Sequence, residues 1–88
     1  MTSWKIEFDY HAAKEFKKLD KSSQTLISKY LKDRVLKAQH PKDLGKPLQY
    51  DYMGLWRYRV DKFRIICHIE EDKLVVLVLK LGLRDKIY

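Results

Sequence analysis

The chain holds one cysteine, three glycines and two prolines among its 88 residues. A lone cysteine, Cys67, closes no internal disulfide and builds no thiolate metal cluster, so a reducing compartment, the cytoplasm, is expected. The scattered glycines exclude a glycine-rich phosphate loop. No apolar run nears the roughly 20 residues that cross a bilayer. The opening stretch MTSWKIEFDYHAAKEFKK has no apolar h-region of a secretory signal. Histidine, cysteine and carboxylate spacings match no metal site, so neither a metal nor another cofactor is expected. Repeats, low-complexity segments and linkers are missing as well, and one domain over residues 1–88 is the reading.

What the chain does have is positive charge and aromatic bulk. Nineteen Lys and Arg against twelve Asp and Glu give a net charge of +7. The 45% hydrophobic and 12% aromatic content belongs to a folded globule. A basic field attracts a polyanion or an acidic partner. It also keeps a small domain soluble, so the placement of the charges has to decide between the two.

WKIEF (4–8) alternates as a half-buried strand does. Asp9 can cap a helix through YHAAKEFKKL, with Ala13, Phe16 and Leu19 on one face and Lys14, Lys17, Lys18 and Lys21 off it. Asp20 or Ser22 restarts a second helix to about Gln39, buried along Ile27, Tyr30, Leu31, Val35 and Ala38. HPKDLGKP carries the clear breakers, and His40 within it marks a helix end. Strands follow: a weak one at LQYDY, then LWRYRV and FRIICHIE about a tight Asp61-Lys62 turn, then KLVVLVLKL, apolar enough for a central strand. The fold class is α+β: an N-terminal strand, a two-helix hairpin covering one sheet face, and an antiparallel β-meander.

Strand parity sorts the charges. Arg57 and Arg59 share one face of their strand; Trp56, Tyr58 and Val60 share the other. Phe63, Ile65, Cys67 and Ile69 are a core set, which turns Arg64, Ile66, His68 and Glu70 away. In the last strand Lys80 is assigned outward together with Leu74, Val76 and Val78. Arg57, Arg59, Arg64, His68 and Lys80 thus form a basic floor on the side without helices. A bare sheet face is polar in any case. Yet so many cations gathered with only Glu70 beside them repel one another, and a phosphate relieves that repulsion. Elsewhere His11 reads as a solvated surface residue, and Cys67 as packing.

The stretch KPLQYDYMGLWRYRVDKFRIICHIEEDKLVVLVLKLGLRDKIY resembles the C-terminal half of RelE-type toxins of the RelE/ParE superfamily. There a "KPL…GLWRYRVG-YRIIY" hairpin precedes an apolar strand ending in "VGHR…VY". IEFDYHAAKEFKKLDK resembles that family's first strand and helix. The resemblance implies a microbial-ribonuclease-like fold and the toxin of a type II toxin–antitoxin system. It further implies partnership with a cognate antitoxin and cleavage of messenger RNA in the ribosomal A site. By position, the family's basic catalytic strand falls on Arg57 and Arg59, and the next strand's arginine on Arg64. The later arginine falls on Arg84, the late tyrosine on Tyr88, and an often basic position on Lys80. Leu83 stands where many relatives have histidine, and arginines stand where some use lysines.

Metal-free RNA cleavage needs a base for the 2′-OH, donors for the phosphorane and an acid for the 5′-oxygen. Arg57, Arg59, Arg64 and Arg84 suit the donor role, since a guanidinium pairs bidentately with phosphate and stays charged. They are poor bases. Lys80, His68 and Tyr88 are the candidates for that part, with His68 also placed to bind substrate alongside Arg57 and Arg59. Two alternatives stay open: a ParE-like inhibitor of DNA gyrase, and a non-catalytic nucleic-acid-binding module.

Overall fold

The computed structural model describes residues 4–83. Strand β1 (Lys5–Phe8) leads into helices α1 (Tyr10–Lys17) and α2 (Lys21–Tyr30), and α2 runs on into a π-helical turn at Leu31–Val35. Short 3-10 turns at Pro41–Asp43 and Tyr50–Tyr52 flank strand β2 (Lys46–Pro47). Strands β3 (Trp56–Val60), β4 (Phe63–Glu70) and β5 (Val75–Leu83) follow. The strands form one sheet in the order β1-β5-β4-β3-β2. Strands β2 to β5 pair antiparallel, while β1 runs parallel to β5 along its outer side. This is the α+β arrangement that the order of elements predicts.

Local chemistry sets the helix ends. Asp9 is extended, and its Oδ1 accepts the Ala12 N–H at 2.8 Å, a cap generally worth about 1 kcal/mol. The Asp9 N–H donates in turn to the Val78 carbonyl at 2.9 Å, which fastens the start of α1 to β5. At the other end, the Gln24 amide donates to the Phe16 and Leu19 carbonyls at 3.1 and 3.0 Å. Both carbonyls lie at or just past the end of α1, where the i+4 partners run out, and the Phe16 carbonyl also accepts the Leu19 N–H at 3.1 Å. The Gln24 contact thus closes α1 against α2. Asp20 precedes α2, and the Ser22 hydroxyl donates to its carboxyl and holds it below the usual carboxylate range.

The helices bury Ala12, Ile27, Leu31 and Val35 against Tyr58, Ile65, Cys67, Val76 and Val78 of the sheet. Each aliphatic side chain fully buried in this way contributes about 1.5–3 kcal/mol. Burial pushes the Cys67 thiol and the Tyr58 phenol well above their ordinary ranges. The Tyr58 hydroxyl donates to the Pro41 carbonyl at 2.6 Å, and the Trp56 indole donates to the Leu44 carbonyl at 2.6 Å. These bonds pin the 41–45 segment beneath β3. Gly45 has φ +74°, and a Cβ there would overlap the Arg57 carbonyl oxygen. The approach of the segment to β3 therefore requires glycine. Asp61 (φ 54°) supplies the left-handed turn residue between β3 and β4 where glycine is usual.

Several expectations need correction. Cys67 pairs with Val78 while Ile66 pairs with Lys80, so Leu79 is an extra residue, a β-bulge. Val76 and Val78 consequently face the helices, both 0% exposed, and do not share the outward face of Lys80. Simple two-residue counting fails across the bulge, although Lys80 itself does face away from the helices. LQYDY is not a strand: Tyr50 has φ 58° and opens a 3-10 turn, and the pairing with β3 comes from Lys46–Pro47. The second helix stops short of Gln39, leaving Ala38 beyond it. In α1 the fully buried residue is Ala12, while Ala13 and Phe16, and Leu19 just past the helix end, are half-buried. His40 marks the start of the 3-10 turn, where its Nδ1 accepts the Lys42 N–H and its Nε2 meets Glu71 at 2.6 Å.

Candidate functional site

Cross-strand register places the basic residues in two rows on the face away from the helices. Lys46, Arg57, Ile66 and Lys80 are successive partners across β2, β3, β4 and β5. Arg59, Arg64 and Gly82 form the next row. Directly opposed Cβ atoms generally stand about 4.5–5.5 Å apart. Arg59 and Arg64 are therefore neighbours, and Arg57 and Lys80 lie about 10 Å apart across Ile66. Arg59 is exposed; Arg57, Arg64 and Lys80 are half-buried, their stems packed on the sheet.

His68 lies one row further along β4, opposite Leu77, and is exposed. Its Nδ1 is 3.7 Å from the Glu70 carboxylate, on the side away from the arginines. Arg57 and Arg59 also line a cleft of about 270 Å³ with Gly45, Lys46 and Tyr30. Burial raises the Tyr30 hydroxyl above the usual phenol range, and nearby Arg34 opposes the shift. Arg84 and Tyr88 lie outside the described residues.

The outer face is not a bare floor. Ile66 points to this side yet is only 1% exposed. The 48–55 segment folds over it, bringing Tyr52 and Leu55 to a groove of about 380 Å³ with Ile66, Leu79 and Lys80. The Lys80 Nζ lies 5.9 Å from the centre of the Tyr52 ring. Asp9 and His11 complete the rim, so His11 is exposed but beside Lys80. Reading the residues alone missed Tyr52, His11 and Lys46. Tyr52 falls in LQYDY, which reads as a weak strand but folds as a 3-10 turn. His11 is brought to Lys80 by the parallel β1–β5 pairing, which joins the two ends of the chain and leaves no local signature. Lys46 could have been found, since it precedes the proline at which the strand pattern begins.

Among the described residues no group of three or more His, Cys, Asp or Glu side chains is placed to hold a metal ion. Nor is any described helix long and apolar enough to cross a membrane.

The architecture has close counterparts. The RelBE2 toxin–antitoxin complex from Mycobacterium tuberculosis contains a chain that superposes with a TM-score of 0.84 at 20% identity, covering 96% of this chain and 94% of that one. The isolated Escherichia coli RelE toxin gives 0.72 at 19% identity over 92% and 84%. The archaeal RelE–RelB complex from Pyrococcus horikoshii gives 0.70 at 20% identity over 98% and 99%. At such identities the likeness is one of fold. No curated protein matches the chain in sequence. The profile described as "ParE toxin of type II toxin-antitoxin system, parDE" matches residues 6–88. With that match spanning nearly the whole chain and the RelE fold beneath it, the chain belongs to the ParE toxin family, within the RelE/ParE superfamily of type II toxin–antitoxin toxins.

Proposed function

We propose that this toxin is a ribosome-dependent endoribonuclease that cuts messenger RNA and so stops translation. The observation that carries the reading is the pair of basic rows, Lys46–Arg57–Lys80 and Arg59–Arg64, on the face that the helices leave open. Lys46 stands directly opposite Arg57, and like charges so placed cost stability. A bound phosphodiester turns that cost into attraction.

In the proposed reaction the ribose 2′-oxygen attacks the adjacent phosphorus, and the P–O5′ bond breaks. The products are a 2′,3′-cyclic phosphate and a 5′-hydroxyl. Lys80 takes the 2′-OH proton, and Arg57, Arg59 and Arg64 hold the phosphoryl oxygens as charge builds on them. Arg84 is assigned as the principal stabiliser or as the donor of a proton to O5′. Tyr88 is assigned to stacking or proton transfer, and His68 to substrate binding. A cognate antitoxin is proposed to hold the toxin inactive in a hetero-oligomer, as RelB partners RelE in the E. coli and P. horikoshii complexes.

A second reading, inhibition of DNA gyrase, is favoured by one finding: the matching family is that of ParE toxins. Induced expression without antitoxin separates the two. New 5′ ends in ribosome-bound messenger RNA support the nuclease, whereas intact transcripts beside gyrase-linked DNA breaks support the inhibitor.

A further inference from the structure

The groove beside Lys80 differs chemically from the basic rows that it adjoins. Ile66, Leu79 and Leu55 give it apolar walls, and the Tyr52 ring stands at its side. Leu79 reaches the groove because the bulge turns it to the same side as Lys80. Asp9 and His11 bring polar groups to the rim, held there by the Asp9 N–H bond to the Val78 carbonyl at 2.9 Å. The Asp9 Oδ1 caps α1, and the carboxylate has a second oxygen to offer. At about 380 Å³ the groove lies in the lower part of the about 300–1,000 Å³ range of small-ligand pockets.

Lys80 belongs to both features: it lines the groove and ends the row that runs through Arg57. A ligand that fills the groove and also satisfies the row must join a flat apolar ring to a neighbouring anion. We propose that the groove holds one unstacked base of single-stranded RNA, stacked against Tyr52 beside Leu79, with its phosphate on Lys80 and Arg57. Asp9 and His11 then meet the polar edge of the base, as side chains do in pockets that take an extruded base. The proposal rests on the basic face being an RNA-binding face, but not on cleavage.

The test measures binding of the full chain to a short oligoribonucleotide whose 2′-hydroxyls are methylated, so that it cannot be cut. An abasic ribose is then moved along the strand one position at a time. At one position the missing base should weaken binding about tenfold, the scale of one base–aromatic stack. Tyr52→Ala should weaken binding of the intact strand by the same factor and lose nothing further with the abasic strand, while Tyr52→Phe binds as the parent does. Thermal melting shows whether Tyr52→Ala stays folded, and His11→Ala, at an exposed position, should alter the preference among bases. Affinity indifferent to every base, Tyr52→Ala binding like the parent, or no binding to any strand overturns the proposal. So does a groove variant that weakens only antitoxin binding, which would give the groove to a protein partner. Base-dependent binding with uncut messenger RNA on ribosomes leaves the inference standing and removes the nuclease reading. Cleavage with base-indifferent binding does the reverse.

Discussion

At the scale of the residue, Lys80 carries the heaviest assignment. It ends the Arg57 row, sits within 5.9 Å of the Tyr52 ring centre and lines the groove, yet it takes no part in the buried core. Lys80→Met should therefore fold normally while cleavage on ribosomes falls by about 10²–10³, the typical effect of removing one placed catalytic group. Lys80→Arg should keep substrate binding and lose turnover, because a guanidinium holds phosphate but makes a poor base. Single-turnover cleavage by each variant checks both outcomes. Equal activity in all three proteins would remove Lys80 from proton transfer.

Cys67 and Tyr58 belong to the opposite class, titratable groups that the fold keeps neutral. Both are 0% exposed, and burial raises both. The unfolded chain gives up these protons first, at about pH 8.5 for the thiol and about pH 10 for the phenol. The stability these two groups contribute is thus whole below about pH 8.5 and is lost as pH rises, by up to about 1.4 kcal/mol per pH unit for each group above its unfolded range. Cys67→Ala should lower stability modestly at pH 7 through lost packing. It should also flatten the loss between about pH 8.5 and 10. Urea unfolding at several pH values reads both effects, and an unchanged slope would show that the thiol does not drive the decline.

Among the elements, β5 decides how the site is built. The alternation was legible in the sequence, because in β3 (WRYRV) arginines and large apolar residues exchange places at every step and in β4 Phe63, Ile65, Cys67 and Ile69 mark the core side. It puts Arg57, Arg59 and Arg64 on one face. In β5 the run VVLVL is apolar throughout and hides the bulge at Leu79. Pairing of β1 with β5 and folding of the 48–55 segment over Ile66 are long-range events without a local pattern. That is why Tyr52 and His11 stayed invisible as neighbours of Lys80.

The bulge makes a prediction of its own. Deleting Leu79 leaves Val78 opposite Cys67 and Lys80 opposite Ile66, a regular ladder with Val76, Val78 and Leu81 still against the helices. The fold should survive with a melting temperature within a few degrees. Activity should fall, because the groove loses an apolar wall and Lys80 loses the aim that bulges commonly give a side chain. A deletion variant that unfolds would show the bulge to be a structural necessity, and full activity would show that it does not shape the site.

For the whole molecule, the charge of +7 and the basic rows on the outer sheet face bear on association. An antitoxin with an acidic or amphipathic segment lying over Arg57 and Arg59, or along the helices, should associate quickly at low salt. Its on-rate should fall steeply as salt rises, while apolar anchors set the off-rate. Stopped-flow binding across a salt series checks this. An on-rate indifferent to salt would place the contact away from the basic face.

The nuclease reading itself is tested most directly by mapping the 5′ ends of messenger RNA on purified ribosomes with and without the toxin. The account predicts new 5′-hydroxyl ends within ribosome-bound codons, no cutting of the same RNA without ribosomes, and loss of the cuts in a protein lacking both Arg57 and Arg59 guanidinium groups. Intact messenger RNA in the presence of folded wild-type protein would contradict it.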